Sequence, residues 1–114
     1  LFEMVDFKNP NIDNKYKEYI DAFINQVNFK DANIYKEYEF IYNVENIEYH
    51  GIIDLMLEYK DHIDIYDYKL KNILDDAYTK QLSGYKKYIE NKMKKPVNTY
   101  LYSIFDKKIR KIDI

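Results

Sequence analysis

The 114-residue sequence contains no cysteine. That excludes disulfides, thiolate-zinc sites and iron–sulfur clusters from this chain, and it fits a cytoplasmic protein. No apolar run approaches the about 18 residues that a membrane span needs. The first six residues already carry Glu3 and Asp6, which is not the composition of a signal peptide. The glycine-rich loop ending in Lys-Ser/Thr that cradles nucleotide phosphates is missing, so any ATPase would lie elsewhere in a longer protein. Arginine is nearly missing too: Arg110 stands alone against 17 lysines. With abundant Ile, Asn and Tyr, that bias reflects an AT-rich genome more than a function. There are no internal repeats, low-complexity tracts or linkers, which leaves a single domain.

What is present is an ordinary globular composition, 46% hydrophobic and 33% charged, in a chain long enough for one core. The formal charge of −2 hides an asymmetry. Residues 1–79 hold 8 Lys against 17 acids, net −9, while residues 80–114 hold 10 cations against 3 acids, net +7. The basic part can face a polyanion. The plainer reading is that Lys80, Lys86, Lys87, Lys92, Lys94 and Lys95 form the wet side of a helix.

Leu1 to Phe7 reads as the tail of a helix, broken at Asn9-Pro10. Asp13 can cap a second helix over about Asn14 to Val27, whose Tyr16, Tyr19, Ile20, Phe23, Ile24 and Val27 form an apolar stripe. Ile34 to Val44 suits a strand and Glu45-Asn46 a turn. A second strand runs from Ile47, kinked at Gly51, to Tyr59; Lys60-Asp61 turns the chain into a third, Ile63 to Leu70. Asp75 or Asp76 can cap a helix from Ala77 to Met93, closed by Lys94-Lys95 before Pro96. Asn98 to Phe105 is a fourth strand and Ile109 to Ile114 a fifth. The expected class is α+β, a mixed sheet flanked by helices.

The chemistry gathers in the second and third strands. Period-two alternation places Asp54 on the face of Ile52 and Met56, and Asp67 and Lys69 on the face of Ile63 and Ile65. A two-residue turn at Lys60-Asp61 pairs Tyr59 with His62 and so sets Asp54 opposite Asp67. Opposed Cβ atoms are about 4.5–5.5 Å apart, close enough for both carboxylates to hold one divalent ion. A one-residue slip would send Asp54 to the other face. Two acids in an apolar strand pair repel and resist desolvation, and a hard cation such as Mg²⁺, helped by Lys69, offsets this. Such a site suits phosphodiester hydrolysis. Acid-x-Lys by itself recurs five more times in this chain. Only Asp67-Tyr68-Lys69 ends an apolar strand, follows an acid on the neighbouring strand and precedes a helix carrying Gln81 and Tyr85. Those two, at i and i+4, face the same way. Taken without the hairpin, Tyr85 with Tyr78, Leu82, Ile89 and Met93 is plain core and Gln81 a boundary residue.

Together, Gly51-Ile52-Ile53-Asp54, Asp67-Tyr68-Lys69 and Gln81-x-x-x-Tyr85 resemble the PD-(D/E)XK nucleases of the RecB/AddA type. These occur as C-terminal domains of bacterial helicase–nucleases and as separate RecB-like exonucleases. The resemblance runs from about Tyr35 to Ile104 and implies a restriction-endonuclease-like αβββαβ core. It implies that Asp54, Asp67 and the Tyr68 carbonyl hold Mg²⁺ or Mn²⁺. It implies that Lys69 positions the nucleophilic water or the scissile phosphate, and that Gln81 and Tyr85 organise the site and the DNA strand. The implied partners are DNA and a helicase domain or subunit, with no membrane. Glu39-Phe40 lies where the family often has an acidic strand entry, and no firm role attaches to Glu39. The family often has Thr where Leu70 stands here. Family members also often carry a metal-binding His on an N-terminal helix. Neither His50 nor His62 has that setting, and both read as surface or strand histidines. Leu1 to Val5 resembles the segment just after that histidine, so the chain is expected to be a fragment cut downstream of it, with the fold and an incomplete metal shell. The activity expected is metal-dependent, exonuclease-type DNA hydrolysis in recombination or repair. The alternatives are a non-catalytic module that binds DNA or braces a helicase, and an unrelated α+β domain whose acids are surface residues.

Overall fold

In a computed structural model, residue 2 and residues 5–8, 16–70 and 77–114 are described. The β-branched and aromatic run after Ala32 forms β1 (Asn33–Val44), which turns back into β2 (Ile47–Glu58). The turn residues Glu45 and Asn46 both have left-handed φ, 51° and 68°. That mirror-image turn matches the twist of the two strands it joins. A second two-residue turn, Lys60-Asp61, closed by the Tyr59 N–H donating to the His62 carbonyl at 2.8 Å, leads into β3 (Ile63–Lys69).

The connection then changes character. β3 pairs with β4 (Val97–Ser103) in parallel, Ile63 opposite Val97, and a parallel pair needs a crossover. The crossover contains the helix α2 (Ala77–Met93). It ends where Lys94 enters the left-handed region, φ 58°, and Glu90 reaches past the end to accept the Val97 N–H at 3.1 Å. β5 (Lys108–Ile112) closes the far edge antiparallel to β4. The five-stranded mixed sheet therefore has the order β1-β2-β3-β4-β5.

Both faces of the central strands are covered, which is why β3 is buried without interruption from Ile63 to Tyr66. Ile63 and Ile65 pack with Met56, Leu82, Ile89 and Leu101 under α2. Tyr66 points the other way, into Phe2, Phe7, Phe23 and Tyr102, beneath the helix α1 (Lys17–Ile24). Phe23 anchors that side: its ring lies 5.3 Å from Tyr66 and 4.5 Å from Tyr102. The α+β class and the helix-flanked mixed sheet read from the sequence are those of the structure.

The element limits differ in instructive ways. α2 spans the residues expected of it. α1 stops at Ile24, short of Val27, because the Gln26 and Val27 N–H groups reach back three residues, to Phe23 and Ile24, and tighten the last turn. Of the Leu1 to Phe7 segment, the described part holds a turn closed by the Val5 N–H on the Phe2 carbonyl at 3.1 Å. The caps assigned to Asp13 and to Asp75 or Asp76 lie outside the described residues.

Candidate active site

The β2–β3 ladder pairs Glu58 with Ile63 and runs up to Leu55 opposite Tyr66. One step further the same register sets Asp54 against Asp67. There Asp54 Oδ2 accepts the Tyr68 N–H at 2.9 Å, so a side chain joins the strands where the backbone ladder has stopped. The Tyr68 ring lies on the opposite face, 4.7 Å from Phe2 and 5.8 Å from Phe23, and pins this step of β3 to the core.

Alternation breaks between Ile53 and Asp54: Asp54 stays on the Met56 side with Asp67, as expected, and the expectation that it also shares a face with Ile52 is corrected. Leu55 and Leu57 pack on the α1 side, yet Ile53 packs beneath α2 and Ile52 is exposed. Glu37 stands across β1 from Asp54 with a left-handed φ of 50°, and this one step is missing from an otherwise unbroken run of paired residues. A left-handed residue bends its strand, and β2 changes face where β1 bends.

Burial, first of all, pushes the Asp54 carboxyl up to about 7. The hydrogen-bonded Asp67 carboxyl adds to the rise, while the Tyr68 N–H and Lys69 oppose it. Asp54 thus keeps its proton until near neutrality. Lys69 Nζ lies 3.1 Å from Asp67 Oδ2, with the two side chains 24% and 19% exposed. Asp67 Oδ2 is nonetheless buried without a hydrogen bond, since the ammonium approaches off the direction a hydrogen bond requires. An acceptor-only oxygen beside a second carboxyl is a donor set for a hard cation, and these residues fit Mg²⁺ or Mn²⁺ in that respect. Among the described residues no group of three or more His, Cys, Asp or Glu converges on one point.

Helix α2 meets the site twice. Tyr85, 7% exposed, stands edge-on to Phe40 at 5.2 Å. Its Oη accepts the Gln81 side-chain amide at 2.9 Å and the Ile52 N–H at 3.4 Å, two residues from Asp54. Tyr85 is therefore core and site flank at once. Two turns earlier Tyr78 places its ring 3.8 Å from Lys69 Nζ, a contact that reading Tyr78 as plain core overlooks. The histidines lie elsewhere: His50 is exposed beside Glu48, and His62 sits at the other end of the β2–β3 hairpin with Asp61.

No family model matches the chain. Over 72 residues it is 36% identical to an ATP-dependent helicase/nuclease subunit from Clostridium acetobutylicum. This chain resembles a piece of that protein. The match takes in 57% of this chain and spans 6% of the length of that relative. Among the described residues no helix is long and apolar enough to cross a membrane.

Proposed function

We propose that this chain is a metal-dependent DNA nuclease domain of the PD-(D/E)XK class. The observation that carries the reading is Asp54 set against Asp67 with Lys69 at 3.1 Å on their side. The likeness to a helicase/nuclease protein supports it and makes a helicase the natural partner, in recombination or repair.

In this reading Asp54, Asp67 and the Tyr68 carbonyl hold Mg²⁺ or Mn²⁺. The bound ion would acidify a water and polarise the phosphoryl oxygen. The raised Asp54 carboxyl must release its proton before it ligates, so metal uptake is weaker below about pH 7. Lys69 holds a water or a phosphate oxygen at the carboxylates, its position fixed by Asp67 and the Tyr78 ring. Tyr85 Oη accepts from two donors, so its own proton is left to donate to the DNA strand.

The test is cleavage of linear DNA with Mg²⁺ or Mn²⁺. Asp67→Ala and Lys69→Ala are each expected to lower the rate about a hundredfold or more. Metal-independent rates, or variants equal to wild type, would sink the reading. Salt-sensitive DNA binding without metal-dependent cleavage would instead identify a non-catalytic module.

A further inference from the structure

Beside Gln81 and Tyr85 a cleft of 940 Å³ opens between the tip of the β1–β2 hairpin and α2. Its two walls differ in chemistry. On the hairpin wall Tyr49 is 42% exposed and stacks one face on Tyr42, with centroids 5.4 Å apart and planes 20° apart. Tyr42 is backed in turn by Phe40 at 5.6 Å. The hairpin lies close to the helix because residue 84 is glycine: a Cβ there would come within 3.3 Å of Tyr42 Oη. The Tyr49 ring is thus held on one face by Tyr42, lines the cleft and stays partly exposed, so a ligand stacking on it meets little further ordering cost.

On the helix wall Lys80 and Lys87 line the cleft, and neither pairs with a carboxylate among the described residues. Seven residues apart, they lie two helical turns, about 10.5 Å, along one side of α2. A supported aromatic face opposite two spaced cations complements a ligand with a flat base and a repeating anion.

The geometry points to this cleft as a subsite for a single DNA strand, with a nucleobase stacked on Tyr49 and successive phosphates against Lys80 and Lys87. The interior of a duplex does not suit it, because its paired bases are stacked on each other on both sides and offer Tyr49 no face. Since Gln81 and Tyr85 also line the cleft, a strand lying in it leads toward Ile52 and the carboxylates. That last step rests on the nuclease reading; the stacking subsite does not.

The experiment is fluorescence anisotropy of the 114-residue chain with a labelled oligo-dT in EDTA, where cleavage plays no part. Tyr49→Ala is expected to weaken binding about tenfold and Tyr49→Phe to retain it. An oligonucleotide of the same length with abasic residues is expected to bind wild type about tenfold more weakly than oligo-dT, with no further loss in Tyr49→Ala. A long duplex, in which nearly all base pairs are interior, should not distinguish Tyr49→Ala from wild type. Absence of oligo-dT binding at low salt, equal binding of oligo-dT by Tyr49→Ala, or equal binding of the abasic strand would each overturn the subsite. The two readings fail separately. Tyr49-dependent binding without metal-dependent cleavage removes the nuclease and leaves the subsite, and the converse removes the subsite alone.

Discussion

Lys69 is restrained from two directions, by the Asp67 carboxylate at 3.1 Å and by the Tyr78 ring at 3.8 Å. The ring face attracts the ammonium without competing for its hydrogen bonds. Tyr78→Phe keeps that face and is expected to leave metal-dependent cleavage near wild type. Tyr78→Leu should lower kcat about three- to tenfold with KM little changed, as measured by steady-state kinetics on linear DNA. Asp54 carries a second prediction. Its folded-state carboxyl is raised well above its unfolded value, so without metal its contribution to stability is fully present below about pH 4 and is lost as pH rises toward about 7. Asp54→Asn does not titrate, and its amide can still accept the Tyr68 N–H and donate to Asp67. In EDTA its Tm relative to wild type should climb between pH 4 and pH 8; a flat difference would refute the assignment. At this scale the sequence was only partly legible. Asp-Tyr-Lys could be singled out among its look-alikes because it ends an apolar strand. Tyr78 could not, since a core aromatic and an aromatic beneath a cation have the same helical spacing.

The site exists because two turns have the right length. Lys60-Asp61 fixes the β2–β3 register, and every pair from Glu58–Ile63 inward follows from it. One residue inserted between Lys60 and Asp61 would shift the register of β2 against β3 and part the carboxylates. Such a variant is expected to lose metal-dependent cleavage, and its Tm by circular dichroism is expected to fall, since the slip would also move the buried Asp64 away from Asn98. These turns and the limits of α2 were readable because short polar breaks, and Lys94-Lys95 before Pro96, punctuate strongly patterned runs. The frayed end of α1 was not, since Gln26 and Val27 would suit an α-helix equally well and only their hydrogen bonds distinguish the tightened turn. The face change at Asp54 was also hidden. It originates in Glu37 on the neighbouring strand, and strict alternation has no means of registering a bend.

Across the whole molecule the site ties together parts that lie far apart in the chain. Asp54 on β2 and Asp67 on β3 meet at the sheet, and Lys69 and Tyr85 extend the contact to α2. A cation held there should therefore resist global unfolding. Mg²⁺ at a hundredfold excess over its Kd would add about 2.7 kcal/mol, a Tm rise on the order of 10 °C for a domain this size. Calorimetry with and without Mg²⁺ at pH 8 checks this, and Asp67→Ala should show no rise. The molecule measures 46 × 31 × 22 Å, its length in keeping with 12-residue strands of about 40 Å in the β1–β2 hairpin. That length leaves β1 as a long margin of the sheet, its outer side unpaired among the described residues, and such margins invite a strand from a neighbouring molecule to zip on. Glu37 makes the invitation hard to accept. Its left-handed backbone breaks the even row of donors and acceptors at one-third of the strand's length, and its charge would sit at any such junction. The residue whose bend turns Asp54 toward its partner also keeps one copy of the protein from growing onto the next.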